Sequence, residues 1–152
     1  QGSPLRWGAP NEENVRWGTI LGFYAGMGRL DDTSTPLPSG GLYIGGMLGP
    51  TVGLVGCFSL ASGSDAAGGA MGFAWGLAVQ GWPVTRIALR GGPALVLALD
   101  PGFRSPVLGP GLTGGVSVAV VKVGSFVLDL RLDMTASLSA AFGSLGVGVN
   151  LN

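Results

Sequence analysis

From residue 15 onward, stretch after stretch of the chain alternates between two kinds of position, one of them carrying most of the large apolar residues. In Val127-Leu128-Asp129-Leu130-Arg131-Leu132-Asp133-Met134, leucine and methionine take the even positions while aspartate and arginine take the odd ones. A strand turns successive side chains to opposite faces, so this stretch predicts a strand with one oily and one ionic face. Val15, Trp17, Thr19, Leu21, Phe23, Ala25 and Met27 likewise alternate with Arg16, Gly18, Ile20, Gly22, Tyr24, Gly26 and Gly28. Further strands are predicted at about 41–48, 51–61, 70–80, 84–99 and 112–121, with the ionic stretch seventh, from Phe126, and an eighth ending near Leu151. In several, bulky residues oppose smaller ones: Val52, Leu54, Gly56, Phe58 and Leu60 against Thr51, Gly53, Val55, Cys57, Ser59 and Ala61, for example, or Leu112, Val116, Val118 and Val120 against Thr113, Gly115, Ser117, Ala119 and Val121. Pro93 falls inside the fifth strand and predicts a bulge there, because proline gives no donor to a ladder.

The connections alternate in length. Gly49-Pro50, Gly81-Trp82-Pro83 and residues 122–125 read as short turns, whereas 29–40, 62–68 and 100–111 are polar or proline- and glycine-rich loops, and residues 1–13 form an irregular lead-in. Short and long connections in alternation describe an antiparallel up-and-down meander. An even strand number lets it close on itself, giving an all-β eight-stranded barrel over residues 14–152.

Composition decides which face is inside. The chain is 11% charged and 47% hydrophobic, with 30 glycines in 152 residues, against roughly 25% charge in an average soluble domain. With the bulky residues inward, as in a soluble lipocalin-like binding barrel, the exterior would consist of glycine and alanine, poor in both solubility and strand propensity. With them outward, against lipid, the small residues fill the narrow interior of eight strands. Strands of this length also match the ~9–11 residues that cross a bilayer when tilted. The reading is therefore a transmembrane β-barrel whose chief partner is the lipid bilayer.

In this pattern and in its connection lengths the chain resembles, from Val15 to Asn152, the small outer-membrane barrels of the OmpA and OmpX type. It differs from them in ending Val149-Asn150-Leu151-Asn152, without a terminal aromatic residue. The resemblance implies a bacterial outer-membrane location and a signal peptide removed before Gln1.

Inside such a barrel, charges must be paired or hydrogen-bonded. Arg86 and Arg90 on strand five are expected to face Asp129, Arg131 and Asp133 on strand seven, with Arg16, Asn150 and Tyr24 joining, in an ion-pair network that plugs the lumen. Trp17, Trp82 and Phe126 toward the terminal end, and Tyr43, Phe58 and Phe142 toward the loop end, are expected to form interfacial girdles.

The chemistry that remains is sparse. Lysine plus arginine balances aspartate plus glutamate at 8 each, which gives no basic surface for nucleic acid. With no histidine and one cysteine, neither an intrachain disulfide nor the usual zinc sets are available, and no cofactor motif occurs. A histidine base beside a serine nucleophile is absent, and Cys57 has no partner base. The expectation is a non-enzymatic barrel that anchors in the membrane, or that interacts with itself or another envelope protein through residues 29–40 and 100–111. A narrow pore, or a transport element for lipids or small molecules, is the competing reading, to which the many inner glycines would be suited only if they leave a void.

Overall fold

The computed structural model describes residues 18–30, 36–65, 68–84, 86–99, 106–123, 126–138 and 141–151. The predicted lead-in lies outside them, as do Arg16 and Trp17 of the predicted first strand. Eight antiparallel strands follow in chain order: β1 Thr19–Leu30, β2 Leu37–Met47, β3 Val52–Asp65, β4 Gly68–Val84, β5 Ile87–Leu99, β6 Val107–Val123, β7 Phe126–Ser137 and β8 Ala141–Leu151. Each pairs with its neighbours in sequence, and β1 pairs with β8, so the sheet is a closed barrel without a free edge. β7 shows why the residues choose this form. Val127, Asp129, Arg131, Asp133 and Thr135 are buried, while Leu128, Leu130, Leu132 and Met134 are exposed, as on every strand that turns leucine and valine outward.

The inner face supplies the curvature. Gly26 pairs with Gly146, and a Cβ built on either would strike the other's strand. Gly45 and Gly92 would likewise meet backbone of the facing strand. A sheet rolled this tightly brings its inner faces together, and only glycine or alanine leaves them room.

Several local expectations are corrected. β2 begins at Leu37 and β6 at Val107, so Pro38, Ser39, Gly40, Pro110 and Gly111 belong to strands and the long connections are shorter than composition suggested. Both prolines are exposed on the wall. Pro93 makes no bulge. The β4–β5 ladder is unpaired between Gly76–Ala94 and Val79–Gly91 without a change of register, so the missing donor is absorbed as a gap, while the register shifts lower down, between Gly81 and Val84. Val121, expected inside, faces out: a shift between Ala119 and Val121 pairs it with the outward Leu128 and reverses the parity.

Two apolar clusters occupy the lumen. Ile20, Tyr43, Val55, Cys57, Ala78, Trp82 and Ala88 gather in the half nearer the short turns. Leu37, Ala61, Ala74, Val96 and Phe142 gather near the long connections.

Candidate functional site in the barrel lumen

Between these clusters runs a polar band centred on β7. Asp133 accepts from Arg90 Nη2 of β5 and, at 3.1 Å, from Arg131 Nε of its own strand. Arg131 Nη1 lies 4.0 Å from Asp129 Oδ2 and donates to Tyr43 Oη of β2 at 2.5 Å. Asn150 Nδ2 of β8 donates to Asp129 Oδ2 at 2.5 Å. The Arg131 guanidinium sits 4.4 Å from the Tyr43 ring centre and 5.0 Å from that of Tyr24, and the Arg90 guanidinium is 4.8 Å from Tyr43, within the range of a cation–π attraction. Tyr24 Oη continues the band to Ser59 Oγ on β3 at 3.1 Å, and Thr135 donates to Thr113 at 3.2 Å. All four charged side chains are at most 5% exposed. Two positive and two negative groups cancel, which is what makes such depth tolerable in a low-dielectric interior.

Register explains how groups on strands that are not neighbours meet. Arg90 pairs with Gly115, and Gly115 pairs with Asp133, so a glycine stands between the ion pair; a Cβ there would collide with the aspartate carboxyl. The same device recurs. Gly148 pairs with Asp129 and seats both that carboxylate and the stem of Arg131, Gly22 pairs with Tyr43 and seats its ring, and Gly41 pairs with Tyr24 and seats that one. Asp129, Arg131, Asp133, Tyr24 and Tyr43 therefore each lie across a neighbouring strand's glycine.

Arg90, Asp129, Arg131 and Asp133 are thus in mutual contact, and Asn150 and Tyr24 touch them. Arg86 does not join. β5 starts one residue after it, and it is exposed in the turn with no ion pair among the described residues. Arg16 lies outside the described residues, as does Trp17.

The interfacial aromatics divide. Phe126 is 56% exposed and points outward. Phe58 packs on the outer wall with Phe73 and Trp75, at ring-centre distances of 5.7–6.4 Å. Trp82, Tyr43 and Phe142 are instead buried in the lumen, because each lies on the inward parity of its strand. Tyr43 had not been expected in the polar band, although its opposition to Leu42 and Ile44 was the available signal.

Some buried polar atoms have no hydrogen-bond partner among the described residues: Arg90 Nε and Nη1, Asp129 Oδ1, Gln80 Oε1 and Ser39 Oγ. Gln80 and Arg90 are cross-strand neighbours, so three of these five atoms lie together at one side of the band. The chemistry offered is that of a neutral, cross-braced salt cluster. Cys57 sits among apolar side chains, and among the described residues no three metal-ligating side chains come together.

No protein-family model matches the chain, and no curated protein matches it in sequence. Its fold is nevertheless that of solved outer-membrane barrels. The attachment invasion locus protein Ail of Yersinia pestis aligns with 90% of this chain and 99% of its own, at 13% identity and a TM-score of 0.62. The N-terminal β-barrel domain of Pseudomonas aeruginosa OprF aligns with 90% of this chain and 100% of its own, at 17% identity and a TM-score of 0.59. The neisserial surface protein NspA aligns with 89% of this chain and 96% of its own, at 14% identity and a TM-score of 0.60. The chain thus has the eight-stranded transmembrane β-barrel fold of the small outer-membrane barrels.

Proposed function

We propose that this barrel resides in the bacterial outer membrane as a structural or interaction protein, its lumen plugged by the arginine–aspartate band, and that it acts through the surfaces it presents and not by conduction. The observation carrying the proposal is the brace that crosses the interior from Asp133 to Arg90 and from Arg131 to Tyr43, with apolar clusters above and below it. Eight strands enclose a space that side chains fill, and the apolar clusters on either side of the band support the reading by disfavouring ions. The attachment name carried by Ail, a barrel of the same fold, suits a reading in which the connections do the work, namely those from β1 to β2 and from β5 to β6, for self-association or for contact with another envelope protein.

Two measurements test this together. The purified protein should migrate compactly on a gel until boiled, as a closed barrel does, and planar-bilayer recordings should show no stable conductance steps. Compact migration with reproducible steps would overturn the plugged reading in favour of a narrow pore, whereas recovery in the detergent-free fraction without a heat shift would remove the membrane barrel itself.

A further inference from the structure

The outer wall carries an indentation that the anchoring role does not use. Near the short turns, where β3 begins and β4 meets β5, a groove of about 380 Å³ is lined on its outer side by Val52, Val79 and Leu89, with Gly81 and Gly91 among its residues, and it reaches Trp82 and Arg90, which are buried on the lumen side. Val52, Val79 and Leu89 are all exposed on the lipid-facing parity. Gly81 and Gly91 share that parity, and a Cβ on either would find nothing nearer than 3.9 Å. The register shift between Gly81 and Val84 lies at the turn end of the groove. An outward glycine weakens a strand and leaves a hole in the wall, so two of them together create a cleft where bulky side chains would otherwise meet lipid.

The rim beyond this groove is cationic. Arg86 is exposed in the turn that ends β4, and Lys122 is exposed near the end of β6. Ala119 N, three residues before Lys122 on β6, donates to the Arg86 carbonyl. Among the described residues, no carboxylate stands at this end outside the lumen: Asp129 and Asp133 are buried within it, and Asp65 ends β3 at the opposite rim. Charge at the rim and an apolar cleft immediately within the wall have the polarity of an amphiphile, an anionic head at the interface and an acyl chain along the barrel.

We infer that the β3–β4–β5 wall holds one anionic phospholipid, its acyl chain in the groove floored by Gly81 and Gly91 and its phosphate beside Arg86, with Lys122 as a second cation. The inference rests on the membrane-barrel reading above. Charge complementarity selects the occupant: a neutral or zwitterionic lipid would gain the groove but lose the rim.

The test is native mass spectrometry of the full chain released from micelles doped with phosphatidylglycerol, with phosphatidylcholine, or with glycerol phosphate alone. The wild-type barrel should retain one phosphatidylglycerol in preference to phosphatidylcholine, and should not retain glycerol phosphate. Arg86→Gln should lower phosphatidylglycerol retention about fivefold, the factor supplied by one cation beside an anionic surface, and leave phosphatidylcholine unchanged. Gly91→Leu, which fills the groove, should lower retention of both lipids; Gly81→Val serves the same end if that variant does not fold. Equal retention of the two lipids, unchanged retention in the groove variants, or capture of glycerol phosphate alone would each overturn the proposal. A compact, heat-shifting wild-type band accompanied by any of these rejects the lipid site only, while loss of the heat shift strikes the barrel reading beneath it.

Discussion

The two faces of β7 are built from the same twelve residues and place opposite demands on them. Outward, Leu128, Leu130, Leu132 and Met134 are exposed, and each needs only to be apolar, because lipid accommodates any such shape. Inward, Asp129, Arg131 and Asp133 are each fixed by named partners on three other strands, β2, β5 and β8. The wall is thus specified by class of residue and the lumen by identity. Substitutions should therefore be judged first by the face on which they fall.

The largest effect is expected inside. Asp133→Ala leaves Arg90 and Arg131 together without the carboxylate that both use, and breaking a buried pair from one side costs about 3–5 kcal/mol. A fall of that order in unfolding free energy, from urea titration of the barrel in lipid vesicles, is the expected result; an unchanged midpoint would show that the band contributes nothing to stability. On the other face, Leu130→Arg places a charge near the middle of the strand and should cost about 2–4 kcal/mol. The decisive control is detergent-free solubility: if this variant folds normally and becomes more soluble, the outward face was never in lipid.

The same contrast governs what could be read without the structure. Parity separates Leu130 from Asp133 and composition turns the first outside and the second inside, and the closed eight-stranded order follows from connection lengths. Height was a poorer guide. Tyr43, Trp82 and Phe142 belong to a girdle if aromatics are sorted by distance from strand ends, yet all three face inward, and for Tyr43 the alternation with Leu42 and Ile44 already said so. Arg86 was lost to a strand boundary, since β5 starts at Ile87, and Val121 to a register shift that no periodicity reveals. The seating glycines were invisible for a deeper reason. That Gly115 lies between Arg90 and Asp133 depends on the register of two strand pairs, information distributed over the chain and held at no single residue. Proline also misled: Pro38 and Pro110 read as loop, although the outer wall of a strand tolerates them.

The smallest and sharpest test uses two consecutive glycines of β2. Gly45 pairs with Val55 and Gly46 with Leu54, so the two differ by a single step in parity. A Cβ on Gly45 would enter the backbone of Leu54 and Val55, whereas one on Gly46 would meet only the Gly18 carbonyl at 3.9 Å. Gly45→Val must therefore push β3 away against the curvature of the closed barrel, and overpacking of this kind costs about 1–3 kcal/mol. Gly46→Val adds a β-branched side chain to an open lipid-facing position, and strand propensity predicts a gain of up to about 1 kcal/mol. Urea midpoints measured side by side should move in opposite directions. If both variants lose stability equally, the glycines are needed for backbone geometry on either face, and the division between a permissive wall and a specified lumen does not extend to β2.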